Sequence, residues 1–303
     1  MGHFQFKFFA FNTAAECHFK QGTMETMKPK LSLIREYLAV VILGLIALCI
    51  VIGGGITLAW YVGQQPSPCN VALVNLYGQV AYYPAESSGA ASSALGDGSL
   101  DQTASENVRQ EIESADADSS IKAIIFQVDS PGGDPVAGED MADALKHASK
   151  PTVALIGDEG TSAAYWAATG AQTIFASADS VVADIGVTQS YLQQTQQDAN
   201  NGLQFISLTA GQYKDMGNPD TPLTSAEKTL MQRDLNITFQ NFIDQVAQNR
   251  NLSVASVTAI ANGSSMLGQM ALQDGLIDHI GNIYDVESYL NGKIGTDAVV
   301  CEN

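Results

Sequence analysis

A chain of 303 residues is long enough for one large domain or two small ones. With 46% apolar residues and a mean hydropathy near zero, it is neither a disordered chain nor a polytopic membrane protein. Its formal charge of −18 argues against nucleic acid as a partner and fits a solvated acidic surface, or one that attracts basic peptides.

Residues 1–36 form an N-terminal tail with five basic and three acidic side chains, and Met27 opens a stretch that reads like a natural start. The run 38-LAVVILGLIALCIVIGGGITLAWYV-62 carries no charge. As a helix it would reach roughly 37 Å, enough for a hydrocarbon core of about 30 Å. This predicts a transmembrane anchor over 37–62. The shorter alternative is a signal peptide cut near 57-TLA-59. Lys7, Lys20, Lys28, Lys30 and Arg35 precede the span, and the next basic residue after it is Arg109. The positive-inside rule then places the N-terminus in the cytoplasm and the rest outside, as a single-pass protein of the cytoplasmic membrane.

After a linker at 63–70, residues 71–303 alternate between apolar β-branched runs and amphipathic ones. Strands are expected at 71–80, 121–129, 152–157, 172–177 and 203–209. Helices are expected at about 104–117, 136–149, 162–169 and 225–249. Thr224 and Glu227 make a capping box for the last of these, and 230, 231, 235, 239, 242, 243 and 246 form its apolar stripe. The pattern is that of an α/β domain with a largely parallel sheet. The stretch 85–105 is small and polar, a loop. Cys69 and Cys301 bracket this domain and are a possible pair if the outer face is oxidising. No spacing of cysteine and histidine suggests a metal, and the triplets at Asn236, Asn251 and Asn262 are compatible with chance.

Three stretches lie where α/β proteins place their sites, at strand ends that lead into helices. In 129-DSPGGDPVAGED-140 a strand is expected to end at Val128, and Pro131-Gly132-Gly133 to turn sharply into a helix. Two glycines there let backbone N–H groups aim at developing negative charge. In 158-DEGTSAAYWAATGA-171, Ser162 opens a small-residue helix. It is either an N-cap or a nucleophile beside the N–H of Ala163. In 211-GQYKDMGNPDTPLT-224, Lys214 is one of six lysines beyond residue 70. It is either a solvated lysine or a base. His147 and His279 lie in no comparable stretch, so a serine-lysine dyad is the variant left open.

The combination resembles the signal peptide peptidase A family of membrane-bound serine peptidases. In that family the nucleophile opens a Ser-Gly-Gly-Tyr-Tyr helix, matched here by 162-SAAYW-166, and the base belongs to a Gly-x-x-Lys-Asp loop, matched at Lys214. The family's Thr-Gly-Ser-Ile-Gly-Val stretch is matched by 182-VADIGV-187, and its C-terminal block by 263-GSSMLGQMALQDGLID-278. The resemblance covers about 71–290. It implies a Clp-protease/crotonase-like fold of repeated ββα units, with Ser162 and Lys214 catalytic and Gly133 and Ala163 supplying the oxyanion hole. It also implies cleavage of apolar peptides, such as remnant signal peptides, at the membrane. Protomers would form a ring whose neighbouring subunits help assemble each site. No metal or cofactor is implied.

An ordinary lysine titrates near 10.4, so a base working near neutrality needs about 3 units, or 4–5 kcal/mol, in favour of its neutral form; burial can supply this. The chain departs from the family at three places. Ala163-Ala164 replaces Gly-Gly, Ser264 replaces an arginine, and Asp184 stands where the family has the serine that positions the lysine. A carboxylate at that place would favour the charged amine unless Asp184 is itself protonated or points away. Two alternatives follow: a catalytically disabled scaffold of the same fold, and a crotonase-type acyl-CoA enzyme sharing the oxyanion architecture.

Overall fold

The computed structural model describes residues 36–50, 52, 69–83 and 102–301. Two compact units divide the chain, Met1–Pro66 and Ser67–Asn303. In the first, residues 36–50 and 52 are helical (α1), with their apolar side chains exposed. Among the described residues no helix is long and apolar enough to cross a membrane. This overturns the expected single-pass anchor over 37–62 and, with it, the expected location in the cytoplasmic membrane. Residues 51 and 53–62 of that span, and the loop at 85–101, lie outside the described residues.

The second unit is an α/β domain built on a parallel sheet. Its strands are β1 (Val71–Ala81), β2 (Gln102–Ala104), β3 (Ala123–Gly133), β4 (Thr152–Thr161), β5 (Thr173–Ala176), β6 (Val181–Ala183), β7 (Ser265–Leu267) and β8 (His279–Ile280). The order is β2-β1-β3-β4-β5-β8. The sheet forks at β4: residues 153–156 pair with β5, whereas Glu159, Gly160 and Thr161 pair with Val181, Val182 and Ala183 of β6. β7 adds antiparallel to β6.

The continuous apolar runs follow from burial on both faces. Along β3, Ile124, Phe126 and Val128 enter the main core, while Ala123 and Ile125 enter a second one. Helices α2 (Ser105–Ala117), α3 (Pro135–His147) and α4 (Ser162–Ala168) cover the first face. After α5 (Thr195–Asn200) come α6 (Ser225–Asn249), α7 (Val254–Ile260) and α8 (Gly268–Gln273). The last helix, α9 (Ile283–Ile294), packs Val286 and Leu290 against the second face. The capping box of α6 forms as expected: Thr224 N–H donates to Glu227, and Glu227 N–H to the Thr224 hydroxyl. Only Phe242, Ile243, Val246 and Ala247 of α6 are buried, however, so its N-terminal part receives little packing from this chain.

Two other expectations are corrected. Residues 203–209 form no strand; Leu203, Phe205, Ile206 and Leu208 are exposed, and among the described residues no strand offers them a ladder. Nor does β3 end at Val128. It runs on through Gly133, because Gly132 and Gly133 adopt positive φ and continue the pairing with Gln79 and Val80 past an irregularity at Tyr77/Gln79. Cys69 and Cys301 form a disulfide that joins the start of β1 to the C-terminal segment. Beside it, Asn70 receives the Val299 N–H and donates to the Asp297 carbonyl.

Candidate active site

The end of β3 and the start of α4 meet. The buried Ser130 hydroxyl donates to the Gly78 carbonyl (2.6 Å) and accepts the Gly132 N–H (3.1 Å). It thereby fixes the glycine pair. A Cβ on Gly132 would lie 2.7 Å from the Thr161 carbonyl oxygen and 2.8 Å from the Ala163 nitrogen, and one on Gly133 would lie 2.1 Å from the Val80 carbonyl oxygen. Only glycine permits this approach at positive φ. Asp134 then caps α3, accepting the N–H groups of Val136 and Ala137.

Ser162 sits between β4 and α4 with φ +54°. A serine held in the left-handed region is strained, and such strain gathers where a side chain must be aimed. Thr161 before it is the N-cap, so the expectation of Ser162 as a cap does not hold. Ser162 is half-buried, and its hydroxyl has no hydrogen-bond partner among the described residues. Gly133, Ser162 and Ala163 line one small pocket, whose far wall is Trp166 stacked on Phe242.

Lys214 lies in the exposed turns at 211–217, and its ammonium has no partner among the described residues. Among the described residues neither a hydrogen bond nor a shared pocket joins it to Ser162. His147 is exposed on α3 with Nδ1 against the Asp143 carbonyl, and His279 packs on Phe175 at the opposite sheet edge. Among the described residues no group of side chains could hold a metal ion.

Asp184 follows Ala183, the pairing partner of Thr161, so Asp184 and Ser162 each stand one residue past the end of that register. Its φ is +53°, and burial, with the charge of Glu159 second, pushes its carboxyl above the usual carboxylate range. Glu159 accepts the Thr161 hydroxyl at 2.8 Å, which brings that second carboxylate to the strand end. Sequence reasoning missed Ser130, Glu159 and Phe242 as parts of this site. The serine inside DSPGG was the visible signal for the first; nothing local marked the other two.

The model of peptidase family S49 matches residues 144–295, half of the chain. The chain belongs to peptidase family S49. The resemblance to the signal peptide peptidase A family is borne out, since related chains carry that name. A candidate signal peptide peptidase of Enterococcus faecium is 26% identical over 208 residues, 67% of this chain and 60% of the relative. A candidate protease of Methanocaldococcus jannaschii is 32% identical over 176 residues, 57% of each chain. A chloroplastic serine protease of Arabidopsis thaliana is 28% identical over 181 residues, 59% of this chain and 27% of the relative. The S49 chain thus spans less than two thirds of the length of these relatives.

Proposed function

We propose that the chain is a serine endopeptidase in which Ser162 is the nucleophile and Lys214 the base. The observation that carries the reading is Ser162 at φ +54°, strained at a strand-to-helix junction and sharing a pocket with Gly133 and Ala163. The forked parallel sheet supports the Clp-protease/crotonase-like fold, and the catalytic domain is 71–303.

Neutral Lys214 takes the Ser162 proton as Oγ bonds the scissile carbonyl carbon. The backbone N–H groups of Gly133 and Ala163 receive the oxyanion. The C–N bond then breaks, and the lysine ammonium returns its proton to the leaving amine. Water, deprotonated by the same lysine, hydrolyses the ester and releases Ser162. No metal or cofactor takes part. Substrates are apolar peptides of the remnant-signal-peptide kind.

Lys214 reaches Ser162 in a ring of subunits. The segment around it exposes Leu192, Ile206 and Leu208 at 85, 73 and 95%. Such apolar side chains on a segment without a ladder suit a subunit interface.

One observation favours a second reading, a disabled scaffold of the same fold: Asp184 stands at the strand end beside Ser162. A fluorophosphonate probe and fluorogenic peptides, applied to the full chain from about pH 6 to 10, separate the two. Labelling and turnover that both need Ser162 and Lys214 establish the dyad. A folded, oligomeric chain that neither labels nor cleaves is the scaffold. Acyl-CoA turnover would point instead to the crotonase-type chemistry.

A further inference from the structure

Strand β3 leaves its regular pairing through one irregular step, and Ser130 stands in it. Asp129 lies opposite Tyr77 and Gly132 opposite Gln79, so Ser130 and Pro131 together face the single residue Gly78. A step of two residues against one takes ladder groups away from their regular partners. The fully buried Ser130 hydroxyl supplies new ones: it donates to the Gly78 carbonyl at 2.6 Å and accepts the Gly132 N–H at 3.1 Å. On its other side Ser130 is paired with Gly160 of β4, two residues before Ser162. One residue thus ties together β1, the glycine pair of β3 and the strand that leads to Ser162.

Beyond the step the ladder resumes, with Gly133 opposite Val80 and the Asp134 N–H donating to the Val80 carbonyl at 3.0 Å. In a parallel ladder a residue bonds to the two neighbours of the residue opposite it. The N–H of Gly133 itself therefore turns away from β1, to the side where Gly133, Ser162 and Ala163 line one pocket. The geometry points to Ser130 as a positioning residue: its hydroxyl holds the step in β3 and, through it, the aim of the Gly133 N–H at the oxyanion. This rests on the peptidase reading of Ser162. Without the hydroxyl, the Gly78 carbonyl and the Gly132 N–H both lose this partner in the interior, and glycines, free of a Cβ, turn readily to repair the loss. A donor turned off its line no longer meets the charge that develops in the transition state. Binding of the uncharged peptide precedes that charge and is left intact.

The test uses the full chain, a fluorogenic peptide and the matching peptide aldehyde, whose adduct with a serine carries an oxyanion. Ser130→Ala is expected to lower kcat by about a hundredfold and to weaken the aldehyde by a similar factor. KM should stay within about twofold, since ground-state binding is kept. The pH midpoint of turnover should not move, because Ser130 acts on the donor and not on the base. Ser130→Cys, whose thiol donates and accepts weakly, should fall between alanine and the parent, and it carries the test if Ser130→Ala does not fold. Thr152→Val is the control for stability: it removes another buried hydroxyl, the acceptor of the Gln172 N–H at the start of β4, and should melt lower with kcat unchanged. A rise in KM without a fall in kcat overturns the inference, as does a fall in kcat that leaves aldehyde affinity intact. So does a Thr152→Val variant that loses kcat as Ser130→Ala does, or a Ser130→Cys variant that matches the parent. A folded parent that neither labels at Ser162 nor cleaves overturns the peptidase reading, and this inference with it.

Discussion

A side-chain carbon on Gly132 would stand 2.8 Å from the Cβ of Ser162. The glycine of β3 and the serine of α4 therefore specify each other. At Gly132, φ is +90°, a region L-residues rarely adopt. Gly132→Ala adds both strain and overlap, and is expected to destabilise the domain by about 2–4 kcal/mol. Probe labelling of Ser162 should fall by about a hundredfold or more, because the nucleophile shifts. Thermal melting and labelling rate, read on the same sample, check this.

The strain at Ser162 predicts a trade between stability and activity. Ser162→Gly removes the left-handed penalty of about 1–2 kcal/mol and gains about 0.5–1 kcal/mol of backbone entropy cost. The variant should melt at or above the parent's temperature while losing all probe labelling. Ser162→Ala, which keeps the strain, should lose labelling without that gain. A glycine variant clearly less stable than the alanine variant would show that the φ of +54° is not a burden on the fold.

Lys214 is expected to work on the Ser162 of another subunit. Mixing Ser162→Ala chains with Lys214→Ala chains, each inactive alone, should then restore turnover, because some interfaces pair an intact serine with an intact lysine. Measured after unfolding and co-refolding, recovery of about a quarter of parental activity fits random pairing of a shared site. No recovery in a mixture shown to co-assemble would place the dyad within one chain.

Asp184 gives a pH prediction whose sign is fixed by its raised pKa. The folded state binds this proton more tightly than the unfolded chain, whose aspartates titrate near 3.9. Stability is therefore lost as pH rises through the folded value. Asp184→Asn should be more stable than the parent at neutral pH, and the difference should vanish below about pH 4. If ionised Asp184 faces the base in the assembly, the variant's activity should also rise at lower pH than the parent's. Denaturant melts and pH-rate profiles check both parts.

The disulfide closes a loop with a sequence separation of 232. Constraint of the unfolded chain on that scale is worth about 2–5 kcal/mol. Cys301→Ser should lower stability by that amount, read by denaturant titration with the parent as control. The loss should be largest in the Val71–Val300 bridge, whose hydrogen exchange should quicken.

The apolar runs made two strands legible: the expected 71–80 is β1 but for its last residue, and the expected 152–157 opens β4, which runs on to Thr161. The capped helix Ser225–Asn249 was found to the residue, because its signals are local. Apolarity misled at 203–209, where side chains fit for a strand have no pairing strand among the described residues. At Pro131-Gly132-Gly133, turn residues were read as a turn although they serve a close approach between β3 and α4. The anchor expected over 37–62 fails on the finding that, among the described residues, no helix is long and apolar enough to cross a membrane. Ser162 and Asp184 were visible as residue types, but their positive φ and their neighbouring registers were not. Phe242 is 80 residues from Ser162, and no local signal joins them.

Helix α6 is held by one end. Phe242, near its C-terminus, is the floor of the recess beside Ser162, and the turns carrying Lys214 come shortly before its N-terminus at Ser225. One helix thus adjoins the pocket of the nucleophile near one end and the lysine's segment near the other, where Met231 and Asp234 share a crevice with Met216 and Gly217. A substitution along α6 is therefore a substitution in the site's frame, although none of its residues is proposed to touch the scissile bond.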